Sequence, residues 1–337
     1  MATNFDTGKG RAAACSPDLP IPDLSIVVSL FNEAESLPEL VPWIERSLEG
    51  SGLTYEILLV DDGSTDDSWR IASELAADRP HLHAIRFRRN YGKSAALYEG
   101  FAAARGEIVV TMDADLQDDP GEIVEMVAMI RNEGYDLVSG WKQKRYDNVL
   151  LKNIPSKIYN AAARKVTGLS LHDMNCGLKA YRSDVVKSIE VYGDMHRFIP
   201  YLAKNAGFTR IGEKVVHHHV RKYGSSKFGM ERFVHGFLDL LSIWFLQKFG
   251  KKPMHLFGAM GIITFLTGAV IALWLIVQKN MAQRGGLPYR GVTDQPLFYL
   301  ALVAVVTGTL LFLTGFLGEL IARNAQERNK YNIRESF

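Results

Sequence analysis

The chain is poor in cysteine and has almost no net charge. Its 337 residues contain two cysteines, too few for a disulfide framework and without the C-x-x-C spacing of a structural zinc site. The 39 basic and 37 acidic side chains nearly cancel, so the overall charge gives no reason to expect nucleic-acid binding. Residues 1–22 lack the apolar segment of a signal peptide, and we expect a flexible tail there. A reduced, cytosolic setting fits this composition.

Long apolar segments are confined to the C-terminal third. Residues 254–278 hold no ionised side chain and residues 296–322 hold only Glu319, and both are long enough to cross a bilayer. Lys251 and Lys252 precede the first segment and Arg323 follows the second, which favours cytoplasmic termini. Buried helices of a soluble core are the alternative. We predict an integral inner or plasma membrane protein with two transmembrane helices within residues 253–323 and a cytoplasmic tail at 324–337.

Predicted strands and helices alternate before these segments. Short apolar runs at 24–30, 55–60, 83–87 and 107–112 are each followed by a stretch with helical spacing, which predicts an α/β domain over residues 23–228. Two further stretches, 150–166 and 233–249, are amphipathic. Such stripes usually belong to a core, but ahead of two membrane spans we predict helices at the membrane interface, the second within residues 229–252.

Polar side chains follow four of the predicted strands, at residues 31–33, 61–64, 89–93 and 113–115. In sheets of this kind, ligands bind beyond the carboxyl ends of the strands. Asp113 and Asp115 are one residue apart, so in a strand they would face the same side. They could cap the next helix, for which Asp118 and Asp119 are further candidates. They could instead bind Mg²⁺ or Mn²⁺ together with a polyphosphate.

Several motifs together resemble those of the family-2 inverting glycosyltransferases. They are VSLFNE (28–33), VDDGSTD (60–66), RNYGK (89–93) and MDADLQD (112–118). DMNCGLKAYR (173–182) and RKYGSSKF (221–228) are similar to the polyprenyl-phosphate branch of that family. The likeness covers about residues 24–250. It implies a GT-A fold, a Rossmann-like mixed sheet with helices on both faces.

The resemblance also implies roles for the residues at the strand ends. Asp62 would read the base or ribose with support from Asp61, and Asp113 and Asp115 would hold Mg²⁺ or Mn²⁺ and the diphosphate. The other residues implied to line the nucleotide sugar are Leu30, Phe31, Asn32, Glu33, Asn90, Lys93 and Ala114. The candidate catalytic residues are Asp115, Gln117 and Asp173. Ser29 stands where the family often has proline.

The expected acceptor, a polyprenyl phosphate, needs cations more than a strong base, because a phosphate monoester is mostly dianionic at pH 7. Candidates to bind that phosphate are Arg145, Lys152, Lys157, Arg221, Ser226 and Lys227. Lys152 and Lys157 could equally belong to a solvated basic face. Asp173 could orient the acceptor, act as a base or only shape a turn. The run His217-His218-His219 is no zinc site, since neighbouring side chains in an extended chain point to opposite faces.

These observations predict a membrane-anchored enzyme that transfers a hexose, from a donor of the UDP-glucose or GDP-mannose type, to a polyprenyl phosphate with inversion. The catalytic domain would lie on the cytoplasmic side. Alternatives are transfer to a glycerolipid or ceramide hydroxyl, and a non-catalytic nucleotide-sugar-binding protein. A processive polysaccharide synthase is disfavoured because no tryptophan follows an arginine, as its Q-x-x-R-W motif requires. Glycine-containing faces around Gly308, Gly315 and Gly318 could allow the hairpin to form a homo-oligomer.

Overall fold

The computed structural model describes residues 20–143, 161, 163–164, 166–223, 245, 249, 253–286 and 290–324. The chain divides into two compact units, Met1–Asp239 and Leu240–Phe337. Several predictions fall outside the described residues: most of both amphipathic stretches, both terminal tails and the candidate phosphate-binding residues Arg145, Lys152, Lys157, Ser226 and Lys227.

The first unit contains a seven-stranded mixed sheet with the order β3-β2-β1-β4-β6-β5-β7. Its strands are β1 (Leu24–Leu30), β2 (Tyr55–Asp61), β3 (Leu82–Arg86), β4 (Ile108–Asp113), β5 (Leu137–Trp141), β6 (Lys179–Arg182) and β7 (Ile211–Val215). β1 pairs in parallel with β2 and β4, and β2 pairs in parallel with β3. β6 runs antiparallel to β4 and β5. The predicted mixed α/β sheet is confirmed, and the carboxyl ends of β1, β2 and β4 lie side by side.

Helices cover both faces of this sheet. They are α1 (Leu37–Leu48), α2 (Ser68–Ala77), α3 (Lys93–Ala103), α4 (Ile123–Glu133), α5 (Ser183–Ser188) and α6 (Ile199–Asn205). Residues of α1, α2 and α4 share one buried apolar cluster, and residues of α3, α5 and α6 share a second. Because the central strands are buried on both sides, they are apolar almost throughout, as the short apolar runs of the sequence predicted.

The strand ends differ from the prediction at one point that matters for function. β4 ends at Asp113, so Asp115 lies in the following loop and not in the strand. The expectation that strand alternation alone aligns these two carboxylates is therefore wrong. The loop after the strand must place Asp115.

The second unit contains α7 (Pro253–Arg284) and α8 (Pro296–Asn324). Pro253–Arg284 and Pro296–Ile321 each contain an 18-residue stretch with a mean hydropathy of 2.4 and 2.3, respectively, and are long and apolar enough to cross a membrane. A Cβ atom placed on Gly308 would lie 2.7 Å from the Gly261 carbonyl oxygen, and one placed on Gly315 would lie 3.0 Å from the Gly258 nitrogen. The backbones of the two helices are thus in contact at these glycines. Gly308 and Gly315, predicted as faces for self-association, are in contact with the other helix of the hairpin, and self-association stays a prediction.

We expect Gly308→Leu to destabilise the hairpin, because a side chain there would also meet the Phe265 backbone nitrogen, 2.5 Å from the Cβ position. Overpacking of this kind costs about 1–3 kcal/mol. The measurement is the apparent melting temperature of the purified protein in detergent. Thr307→Leu is the matched control, since Thr307 is exposed on the same helix. Equal melting temperatures for the two variants would contradict the close packing.

Candidate functional site

The site is built around two carboxylates at the end of β4, each already paired with a cation. Asp113 forms an ion pair with the ammonium of Lys93, the first residue of α3. Asp115 accepts a hydrogen bond from Arg221 Nη2 at 2.5 Å, and its side chain is only 13% exposed. The two predicted metal ligands therefore bind basic groups from two different parts of the chain. The sequence had already indicated Lys93 as a residue lining the nucleotide sugar and Arg221 as one binding the acceptor phosphate.

A strained turn follows the strand. Leu116 has φ +59°, in the left-handed region that residues other than glycine rarely adopt, and its side chain is buried. Asn32, just after β1, is the other such residue in the described part of the chain, with φ +54°. Strain of this kind persists where the surrounding structure fixes it, and it is concentrated at functional sites. Both residues lie at the carboxyl ends of neighbouring strands.

This turn directs Asp118 into the protein, which corrects the prediction that it caps a helix. The Asp118 side chain is fully buried, with Oδ1 2.7 Å from the ammonium of Lys142, which follows β5. Asp119 does cap the short 3-10 helix Pro120–Glu122, accepting a hydrogen bond from the Gly121 nitrogen at 2.8 Å, as predicted. Sequence reasoning missed Lys142. Its position directly after a strand was the available signal.

Gly177 gives two of the carboxylates room to converge. A Cβ atom on this glycine would lie 2.6 Å from Asp113 Oδ2 and 3.1 Å from Asp118 Oδ2. Asp118 Oδ2 has no hydrogen-bond partner among the described residues. Carboxylate oxygens suit Mg²⁺ and Mn²⁺, so Asp113, Asp115 and Asp118 fit a divalent cation chemically. The described residues include no group of three or more side chains placed to hold a metal by themselves, so phosphate or water oxygens would have to complete the shell.

Burial and neighbouring charges shift the pKa values of Asp113, Asp115 and Lys142. Burial raises the pKa of Asp113, but attraction by Lys93 outweighs it and lowers the pKa to about 2. Burial raises the pKa of Asp115, and repulsion by Asp113 and Asp118 adds to the rise despite the attraction of Arg221. Burial opposes the charge on Lys142, yet attraction by Asp118 raises its pKa. Asp115 is thus the carboxylate that gains most from an additional cation.

The loops after β1 and β2 are tied together by short hydrogen bonds. The Asn32 nitrogen donates to Ser64 Oγ at 2.8 Å, and Asn32 Oδ1 accepts from the Thr65 nitrogen at 2.8 Å. Asp61 Oδ1 accepts from the Ser64 nitrogen at 2.8 Å, and the Glu33 nitrogen donates to Ser68 Oγ at 2.8 Å. Asp61 therefore supports this loop, in keeping with the supporting role implied for it.

Asp62 anchors the loop that follows β3. Its carboxylate accepts hydrogen bonds from the Tyr91 nitrogen at 2.7 Å and the Gly92 nitrogen at 2.9 Å, and burial raises its pKa. Asn90 is exposed beside this loop. The structure thus brings the predicted nucleotide residues to one edge of the sheet, with Leu30 and Ala114 buried beneath it. In this arrangement Asp62 binds backbone nitrogens, and whether it also reads a base stays a prediction.

Asp173 shapes a turn, one of the roles that the sequence left open. It is buried, its Oδ1 accepts from the Asn175 nitrogen at 3.1 Å, and its own nitrogen donates to Glu213 Oε1 at 3.0 Å. This turn leads into Gly177 and so positions the glycine beside Asp113 and Asp118.

Residues 217–223 form an extended strap, so named here, that carries Arg221 to the site. The Gln117 carbonyl oxygen accepts from the His219 nitrogen at 2.9 Å and lies 3.1 Å from His218 Nδ1. His219 Nε2 lies 3.0 Å from Asp119 Oδ2, while the His217 nitrogen donates to Glu122. The three histidines therefore have separate partners in this arrangement. Gln117 acts here through its backbone.

Comparison with known proteins identifies the family of this chain. The family model described as Glycosyl transferase family 2 matches residues 25–190. The dodecaprenyl-phosphate galacturonate synthase of Rhizobium johnstonii is 36% identical over 320 residues, covering 94% of this chain and 93% of that protein. The undecaprenyl-phosphate 4-deoxy-4-formamido-L-arabinose transferase of Pseudomonas savastanoi is 36% identical over 307 residues, covering 90% of this chain and 87% of that protein.

Among solved structures, the glucosyl-3-phosphoglycerate synthase of Mycobacterium tuberculosis in complex with Mg²⁺ and UDP has a TM-score of 0.51. It is 21% identical and the match covers 66% of this chain and 80% of that chain, which shows a common fold. The expected GT-A-like architecture is confirmed. Since the curated relatives match almost the whole length, the chain belongs to glycosyl transferase family 2 and is a glycosyltransferase of the branch that contains these two enzymes.

Proposed function

We propose that this enzyme transfers a sugar from a nucleotide sugar to the phosphate of a polyprenyl phosphate at the cytoplasmic face of a membrane. The observation that carries the proposal is the group of three neighbouring carboxylates, Asp113, Asp115 and Asp118, of which Asp118 is fully buried and the other two are partly exposed, in a chain that also has two apolar helices long enough to cross a bilayer. The curated relatives support the acceptor, because their names state dodecaprenyl and undecaprenyl phosphate.

Donor binding would use the loops at the ends of β1, β2 and β4. Asp113, Asp115 and Asp118 would hold Mg²⁺ or Mn²⁺, which when bound neutralises the charge that develops on the leaving diphosphate. Lys93 keeps Asp113 ionised at neutral pH and fixes its position through their ion pair. The Asp62 carboxylate fixes the loop that carries Lys93. These contacts would orient the donor before any bond changes.

Acceptor attack is a single displacement with inversion. A phosphate oxygen of the lipid forms the bond to the anomeric carbon, the bond from that carbon to the diphosphate breaks, and the nucleoside diphosphate leaves. The attacking phosphate is already largely ionised at pH 7, so it requires no strong general base. This agrees with Asp173 serving a turn. Arg221 offers the planar fork that binds a phosphate with two hydrogen bonds.

The range of candidate donor sugars is wider than the sequence alone suggested. The relatives are named for galacturonate and for 4-deoxy-4-formamido-L-arabinose, so donors other than UDP-glucose and GDP-mannose belong in any test. A panel of radiolabelled nucleotide sugars with polyprenyl phosphate and Mg²⁺ or Mn²⁺ identifies the donor. A lipid product that resists mild acid would point instead to a hydroxyl acceptor.

We expect Asp115→Asn to lower kcat/KM by at least about 100-fold, because it removes a charged ligand that acts on the developing diphosphate charge. The measurement is radiolabelled lipid product formed with a saturating polyprenyl phosphate. Asp119→Asn is the matched control in the same loop, since Asp119 caps Gly121 and is expected to retain most activity. Wild-type rates in Asp115→Asn would remove the basis of the proposal.

Arg221→Gln is expected to raise the KM for the lipid phosphate about 10- to 100-fold, the effect of losing a charge-assisted contact. The KM for the nucleotide sugar should change much less. Lys222→Gln is the neighbouring control, because Lys222 pairs with Glu39 at 2.6 Å on the surface of α1. If both variants change the acceptor KM equally, Arg221 has no specific role in acceptor binding.

A further inference from the structure

Basic side chains are concentrated on one side of the carboxylate cluster. Lys93 comes from the start of α3, Lys179 from the first residue of β6, and His196 from the 3-10 helix Met195–Phe198. We call these three residues the basic wall. His196 contacts Ser94, the neighbour of Lys93, and Lys179 lies opposite Thr111, two residues before the Asp113 that pairs with Lys93. Burial lowers the pKa of both Lys179 and His196, and repulsion by Lys93 lowers each further. The proposed transfer of a sugar does not by itself require Lys179 or His196.

The position of His196 is fixed by two contacts with one hydroxyl. Its backbone nitrogen donates to Ser94 Oγ at 3.1 Å, and its ring Nδ1 lies 3.1 Å from the same oxygen. No described residue forms a hydrogen bond with Nε2. The imidazole is partly exposed, so a ligand in the site could reach it. His196 is therefore a ring held in place with one nitrogen available to a ligand.

Lys179 is a buried ammonium that forms no ion pair with a carboxylate among the described residues. It lies on β6 opposite Thr111 of β4, and its Nζ donates to the Cys176 carbonyl oxygen. Burial lowers its pKa, with Asp173 and Asp113 compensating in part. A buried charge is costly unless it is paired, so this lysine gains from an anion brought by a ligand.

The topology places Lys179 on the side where the donor sugar would lie. The nucleotide loops follow β1 and β2, on one side of β4, whereas Lys179 is on β6, on the other side. With the nucleotide at β1 and β2 and the diphosphate at the end of β4, the sugar would extend toward β6.

We propose that Lys179 and His196 bind the carboxylate of a nucleotide-linked uronic acid, so that the preferred donor sugar of this enzyme is anionic. The inference rests on the proposed function. A relative named for galacturonate, a sugar with such a carboxylate, is consistent with it.

The test compares two donors that differ only at C6, UDP-galacturonic acid and UDP-galactose. The full-length protein in detergent is assayed with polyprenyl phosphate and Mg²⁺, and binding of each donor is measured separately by thermal shift with Mg²⁺ present. We expect Lys179→Met to lower kcat/KM for the uronate about 10- to 100-fold and that for galactose by less than about threefold. His196→Ala should show the same selective loss, and His196→Gln, which keeps a hydrogen-bond donor, should restore part of it.

Lys187→Met is the matched control. Lys187 is also a partly buried lysine whose ammonium donates to carbonyl oxygens, those of Phe101 and Ala102, at the far end of α3. It should leave the ratio between the two donors unchanged. If Lys179→Met does not fold, His196→Ala alone decides the outcome.

Equal losses of kcat/KM with both donors would overturn the proposal and indicate a structural role for the basic wall. A raised KM for the lipid phosphate with either donor would also overturn it, because the wall would then bind the acceptor. If the wild-type protein forms no lipid product with any donor, the proposed function fails. The thermal shifts still decide the inference in that case, which requires tighter binding of the uronate that depends on Lys179 and His196.

Discussion

Three neighbouring carboxylates, one fully buried and two partly exposed, lie at the end of β4, and the fold around them supplies the opposite charge. Moving one charge out of water is costly, and placing like charges together raises the cost further. Lys93, Arg221 and Lys142 each pair with one of the three, and they come from α3, the strap and the end of β5. These elements lie far apart in the sequence. Assembly of the site therefore requires nearly the whole first unit to be folded.

The same electrostatics separates the roles of the carboxylates. Asp118 is fully buried, with Oδ1 beside the ammonium of Lys142 and Oδ2 without a hydrogen-bond partner among the described residues. Asp113 is held ionised by Lys93, whereas the pKa of Asp115 is raised by its neighbours. A carboxylate whose charge is destabilised by neighbouring like charges gains more free energy from binding a cation than one whose charge is already neutralised. Of Asp113 and Asp115, the structure thus leaves Asp115 with the less compensated charge.

The sequence predicted β1 to β4 and the polar groups at their ends, because these follow from local patterns of apolar and polar residues, but it did not predict β5, β6 and β7. It failed at Asp118, since nothing in the residue types foretells the left-handed turn at Leu116 that sends the chain inward. It also missed Lys142, whose pairing with Asp118 depends on β5 packing into the same sheet as β4. The glycines of α8 were recognised as a contact face, but sequence alone did not tell whether the contacted helix belongs to the same chain.

The backbone contact between α7 and α8 has a consequence for how the enzyme meets its lipid surroundings. A helix of 32 residues is about 48 Å long, longer than the roughly 30 Å hydrocarbon core of a bilayer. Two loosely packed helices could adjust separately to a bilayer of different thickness. Glycines pressed against the opposing backbone, as at Gly261 and Gly308, prevent the helices from sliding past each other. In a bilayer the pair would tilt as one body, and membrane thickness would set its inclination.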